Sequence, residues 1–184
     1  MLSPLIGIIA SSGVAASTTA YESIATVNVG AGGTSSISFT SIPSTYQHLQ
    51  VRAISRSNYV DTFDYIYIST PSAGTWYHGL VGDGSTASAI GGSYRKLTDL
   101  TPGSTTTASV FSGAIIDILD YANTNKNKTV RSLAGYDANG SGRIVLYSSL
   151  IDSTNAISTL TFTSDNASNF AQYTSFALYG IKGA

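Results

Sequence analysis

The chain has no cysteine, which excludes disulfide staples and thiolate metal sites. It is also poor in charge: only 10% of its 184 residues are Asp, Glu, Lys or Arg, against roughly 25% in ordinary globular domains. Nine basic and ten acidic residues are scattered without a basic stripe, so no nucleic-acid partner is expected. Histidine occurs only at 48 and 78, with no local spacing that would make a metal site. Apolar runs stay well short of the roughly 20 residues a membrane-spanning helix needs, so no membrane partner is expected either. Nucleophile-elbow, phosphate-loop and dinucleotide fingerprints are missing. These absences lead to the expectation of a protein that is not an enzyme and uses no cofactor or metal.

What is present is a core and an unusual coat. Hydrophobic residues make up 42% of the chain, and its length suits one domain with a real interior. Ser, Thr, Asn, Gly and Tyr must cover the surface. Such a coat repels itself weakly and suits a chain packed against neighbours; extracellular or carbohydrate-facing domains share the composition. The first residues are greasy, with Leu2, Leu5, Ile6, Ile8 and Ile9 ahead of a Ser/Thr/Ala-rich stretch to residue 20. A secretory signal needs a basic leader, yet the first Lys or Arg is Arg52. Residues 1–20 are therefore expected to form an extended apolar arm. It would serve as an assembly anchor docked on a partner, or else fold onto its own domain.

From residue 21 onward the pattern is β. Residues 22–29, 36–42 and 47–56 alternate; in the last, Leu49, Val51 and Ala53 point one way and His48, Gln50 and Arg52 the other. Residues 64–69 and 75–81 read as further strands. Residues 83–106 read as a long polar loop region with a short strand near 94–97. Residues 109–119 read as a long core strand, Gly113 and the β-branched residues favouring strand over helix. Residues 128–136 and 142–150 form a hairpin across Asn139-Gly140. Residues 157–163 put Leu160 and Phe162 inward, and residues 171–181 read as a strand buried on both faces. No amphipathic helix is present. The expected fold is all-β: an antiparallel β-sandwich of jelly-roll type over residues 21–184, preferred to an up-and-down barrel, with the arm in front.

Three features invite a chemical reading. Asp137 to Gly142 resembles the start of a calcium loop, but its twelfth position is Ser148 rather than a bidentate Glu, so a turn is the better reading. Asp117 and Asp120, three apart on a strand, project to opposite faces and cannot pair as acid and base. Aromatic residues concentrate in the middle third, at Tyr59, Tyr65, Tyr67, Trp76, Tyr77 and Tyr94. They pack the core and its rim, or form an exposed interface, or stack on sugars.

Several segments also resemble a known group. Residues 36–52, with Ser41-Ile42-Pro43-Ser44-Thr45-Tyr46 at their centre, and the closing Ser175-Phe176-Ala177-Leu178-Tyr179-Gly180-Ile181-Lys182-Gly183 are similar to short proteins encoded by tailed phages of aquatic bacteria, including cyanophages. So are residues 1–13 and Ile118-Leu119-Asp120-Tyr121-Ala122-Asn123-Thr124-Asn125-Lys126. The likeness spares residues 59–108, where those proteins carry an Asn-Gly-Asp-x-Gly loop before a Tyr and a His and this chain reads Gly74-Thr75-Trp76-Tyr77-His78. The resemblance implies a virion structural protein and carries over no functional residues. Two roles are expected from it: a capsid decoration (cement) protein docked on the head through the arm, or a tail-fibre or other tail appendage recognising host glycan or receptor. The expected partners are copies of itself, as a homotrimer, and a major capsid protein or tail component, at the particle surface after synthesis in the host cytoplasm.

Overall fold

In β3 (His48–Ser55) every second side chain, from Leu49 through Val51 and Ala53 to Ser55, is buried, whereas Arg52 and Ile54 face solvent. That period of two recurs through the computed structural model, which describes residues 20–69, 74–93 and 97–183. The expected arm over 1–20, with its anchor residues Leu2, Leu5, Ile6, Ile8 and Ile9, lies outside the described residues apart from Ala20, as does Tyr94.

The remaining strands are β1 (Tyr21–Asn28), β2 (Ser36–Phe39), β4 (Phe63–Ser69), β5 (Gly74–Gly82), β6 (Ala87–Gly92), β7 (Leu97–Pro102), β8 (Ser112–Ile118), β9 (Lys128–Asp137), β10 (Gly142–Asp152), β11 (Leu160–Ser164) and β12 (Ser175–Ile181). They form two antiparallel sheets, one of eight strands in the order β1-β12-β3-β8-β9-β10-β5-β6 and one of four in the order β2-β11-β4-β7. No helix occurs among the described residues. This is the all-β antiparallel sandwich expected.

The sheets meet through aromatic and aliphatic side chains. Phe162 of β11 lies 5.0 Å from Phe176 of β12, centroid to centroid, and edge-on to Phe39 of β2 at 6.4 Å. Ile66, Ile68 and Leu160 on the small sheet and Leu49, Val51, Ile116 and Val145 on the large one complete this layer. Two glycines are set by close approach. A Cβ on Gly180 would fall 2.4 Å from the ring of Tyr46, and one on Gly79 would fall 2.6 Å from the ring of Tyr147. In both places the missing side chain lets an aromatic ring lie on the strand.

Three expectations are corrected. The polar region 83–106 is not a long loop, because it holds β6 and β7. The latter is buried in both phases at Asp99, Leu100, Thr101 and Pro102. Its polar side chains are stable there because they are bonded across the sandwich. Ser112 Oγ donates to Asp99 Oδ1 at 2.8 Å, and Ser55 Oγ lies 2.5 Å from Asp99 Oδ2 and 2.7 Å from Thr101 Oγ1. Strand β8 starts at Ser112 rather than 109, since Ser109 takes a left-handed φ of 62° that breaks extension. Strand β12 is buried on one face only: Phe176, Leu178 and Gly180 are inside, with Ala177 and Tyr179 half-covered on the other side.

The β9–β10 hairpin forms where expected. Asn139 and Gly140 adopt φ of 64° and 97°, and the Asp137 carboxylate accepts their backbone N–H groups at 2.8 and 3.4 Å. Ser148, the twelfth position of the calcium-loop reading, sits within the sheet between Arg131 and His78.

Candidate functional site

Because a two-layer sandwich covers one face of each sheet, the other face of the large sheet meets whatever lies outside. On it, neighbouring strands align residues into rows. One row runs Arg52, Ile115, Leu133, Leu146, Leu80 and Ala89 across β3, β8, β9, β10, β5 and β6. The next runs Ile54, Gly113, Gly135, Ile144 and Gly82 over the first five of those strands. Ile54, Leu80, Ile115, Leu133, Ile144 and Leu146 are each 44–60% exposed. Together they present on the order of 600 Å² of apolar surface, the scale at which a patch on a monomer marks an interaction site. Over the two central glycines lies a shallow trough of about 630 Å³, bordered by Ile115, Leu133 and Ile144.

A third row borders this band with polar groups already satisfied within the chain. Arg52 Nε donates to Gln50 Oε1 at 3.0 Å, Gln50 Nε2 to Asp117 Oδ1 at 2.9 Å, and Arg131 Nη2 to Asp117 Oδ2 at 3.1 Å. Arg52 also stacks over Tyr179 and Tyr21, 5.1 and 5.6 Å from their centroids. Charges held in this way cost less to cover than free ones, since each keeps its partner when water leaves.

The loop end of the sandwich holds a different feature, a polar cleft of about 710 Å³. Thr62, Asp83, Thr105, Tyr136, Ser141 and Arg143 are among its lining residues. Arg143 lies 4.1 Å above the Phe63 ring, and Tyr136 donates its hydroxyl to the Thr62 carbonyl at 3.4 Å. Asp83 closes the β5–β6 turn by accepting the N–H groups of Thr86 at 2.7 Å and Ser85 at 3.0 Å; these bonds lower its pKa.

The aromatic residues singled out from the sequence do not form one surface. Strand alternation sends Trp76 outward, 58% exposed, and Tyr77 inward, edge-on to Tyr147 at 6.4 Å. Tyr65 and Tyr67 share one phase of β4, half-buried against the core, and Tyr59 is half-buried in the β3–β4 connection. Of that set the outer face includes Trp76, which pairs with Leu150 one row beyond His78. The histidines are far apart in role. His78 is exposed on the outer face, while His48 accepts the Asp120 backbone N–H through Nδ1 at 2.9 Å. Asp120 itself bonds Lys126 Nζ at 2.6 Å, which holds its carboxyl below the usual range, and Asp117 belongs to the arginine network. Among the described residues no three His, Asp or Glu side chains converge as metal ligands.

The aliphatic band itself was missed in the sequence. Its signal was there: strands β8 and β10 carry large apolar residues in both phases, and a two-layer fold can bury only one. Comparison with protein-family models, curated proteins and solved structures returned no match to the chain.

Proposed function

We propose that the chain is a structural protein of a tailed-phage particle, a capsid decoration protein that works by being packed against other subunits. The observation that carries the assembly part is the continuous aliphatic face of the large sheet, exposed in a chain whose coat is otherwise largely polar and poor in charge. The phage part rests on the resemblance of residues 1–13, 36–52, 118–126 and 175–183 to phage-encoded proteins. In this reading the sandwich is a jelly roll enlarged by edge strands. Leu2, Leu5, Ile6, Ile8 and Ile9 anchor it to coat subunits, and it performs no catalysis.

The loop-end cleft favours a second reading, a tail appendage that recognises host glycan. Its volume suits a small ligand, and Thr105, Ser141, Tyr136 and Arg143 offer hydroxyls, a ring and a cation of the kind sugars engage. Quantitative mass spectrometry of purified particles separates the two. Hundreds of copies per particle support decoration, a few dozen or fewer support an appendage, and absence of the chain from particles overturns both.

A further inference from the structure

We propose that the outer face of the eight-stranded sheet is covered by a second copy of this chain, packed face to face about a two-fold axis along β9. The inference rests on the assembly reading above and names its first partner. It replaces the trimer expected from the sequence with a dimer.

The face is complementary to itself. In the row Ile54, Gly113, Gly135, Ile144, Gly82, two large side chains are set apart by glycine gaps on one surface. With β9 on the axis, Ile144 of each copy stands over Gly113 of the other and Ile54 over Gly82, while Leu133 meets its own counterpart. Elsewhere among the described residues the large exposed apolar side chains are scattered, such as Val60 and Tyr173. Among the described residues, therefore, no second patch offers the complement that a head-to-tail ring needs. The roughly 600 Å² of aliphatic surface, widened by the glycine backbone and the Arg52 stem, approaches the ~800 Å² that each partner of a stable dimer buries. Opposed sheets in a sandwich sit about 10 Å apart, a spacing that interdigitated Ile and Leu side chains fill.

Gly113 adds an independent pointer. A Cβ there would meet nothing within 4 Å, and its φ lies outside the left-handed region, so neither packing within the chain nor backbone geometry calls for glycine. A floor that must stay empty for another molecule does call for it.

Sedimentation of the full-length chain tests the proposal. The wild type should be a dimer at micromolar concentration. Gly113→Val, which fits the open space and favours extended backbone, should keep the wild-type circular dichroism and melting profile of a dilute sample. It should nevertheless weaken self-association at least tenfold, and Leu133→Lys should do the same. Val60→Lys, an exposed apolar site off this face, should leave the dimer intact. Because the chain has no cysteine, Leu133→Cys should be joined to its counterpart by a thiol-reactive crosslinker whose reach matches the ~10 Å spacing of opposed sheets. A monomeric wild type, or Gly113→Val dimerising as the wild type does, overturns the proposal. So does an intramolecular disulfide between Ile6→Cys and Leu133→Cys in a monomer, which would put the chain's own first residues on the face. A monomer found in purified particles would still uphold the particle reading, which fails only if particles lack the chain.

Discussion

On β8, Ile116 is wholly buried and its neighbour Ile115 is nearly half exposed; on β10, Val145 and Tyr147 lie inside while Ile144 and Leu146 lie outside. The two faces of the large sheet are built from the same residue types, so hydrophobicity alone does not say which is the core. The inner face is packed by a second sheet of this chain and is crossed by a buried carboxylate with its hydroxyl partners. The outer face has a trough, glycine gaps and a border of prepaired charges, the features from which a contact with a second copy is proposed. Substitutions on the two sides should therefore separate stability from assembly.

The largest effect belongs to the inner side. Phe162→Ala removes a ring held between Phe39 and Phe176 and leaves a cavity between the sheets. A loss of about 3–5 kcal/mol is expected, seen as a melting temperature lower by roughly 10 °C in a chain of this size. A loss below 1 kcal/mol would mean that the sheets do not share this core.

Next comes the buried carboxylate. Asp99→Ala strands the hydroxyl of Ser112 between the sheets, leaves that of Ser55 with Thr101 alone, and should cost about 1–3 kcal/mol. Its pH signature is more telling. Burial pushes the Asp99 pKa up against the opposing effect of its hydrogen bonds to Ser55, Ser112 and the Leu100 N–H. The folded chain thus holds this proton more tightly than the unfolded one does. Between the ordinary carboxylate pKa and the raised one, the folded state binds more protons, and Asp99 makes stability fall as pH rises. Asp99→Asn should remove that component, so the variant gains on the wild type as pH climbs through the window. Denaturant melts across the acidic range measure it, and parallel curves for the two proteins would sink the assignment.

A smaller effect of opposite sign is expected at Tyr147. Its ring fills the space over Gly79, but its hydroxyl is buried without a hydrogen-bond partner, and burial raises its pKa. Tyr147→Phe keeps the ring and deletes the stranded group. Stability should rise by about 1 kcal/mol, measured as a higher urea midpoint with an unchanged slope. A lower midpoint would show that the hydroxyl bonds a water worth keeping.

Much of this fold was legible because most strands obey a clean period of two. Leu49, Val51 and Ala53 announced β3, and Asn139-Gly140 placed the hairpin that turns β9 into β10. Strand β7 was not legible: Asp99, Thr101 and Pro102 look like loop chemistry until Ser55 and Ser112 arrive from other strands to bond them. The middle aromatics were visible as residues but not as a surface, since adjacent positions such as Trp76 and Tyr77 part to opposite faces. The aliphatic face was hidden by a degeneracy. Ile115-Ile116 and Ile144-Val145-Leu146 read equally as a strand buried on both sides by its own chain and as one buried on the second side by a partner. Only the exposure of Ile115, Ile144 and Leu146 among the described residues shows which phase the second sheet does not cover.

The smallest expected effect is the sharpest test of that difference. Leu133→Thr puts a β-branched, strand-favouring side chain at the centre of the outer face and trims its apolar reach. In a sample dilute enough to be monomeric, its stability should stay within about 0.5 kcal/mol of the wild type, as for an ordinary surface position. At high concentration the two should part. Dimerisation stabilises the folded wild type by mass action, so its melting temperature climbs with concentration, and the variant's should climb far less. Equal slopes would show that Leu133 is surface and nothing more. A large loss already present in the dilute sample would show instead that the outer face helps hold the monomer together, and the division between the two sides of the sheet would disappear.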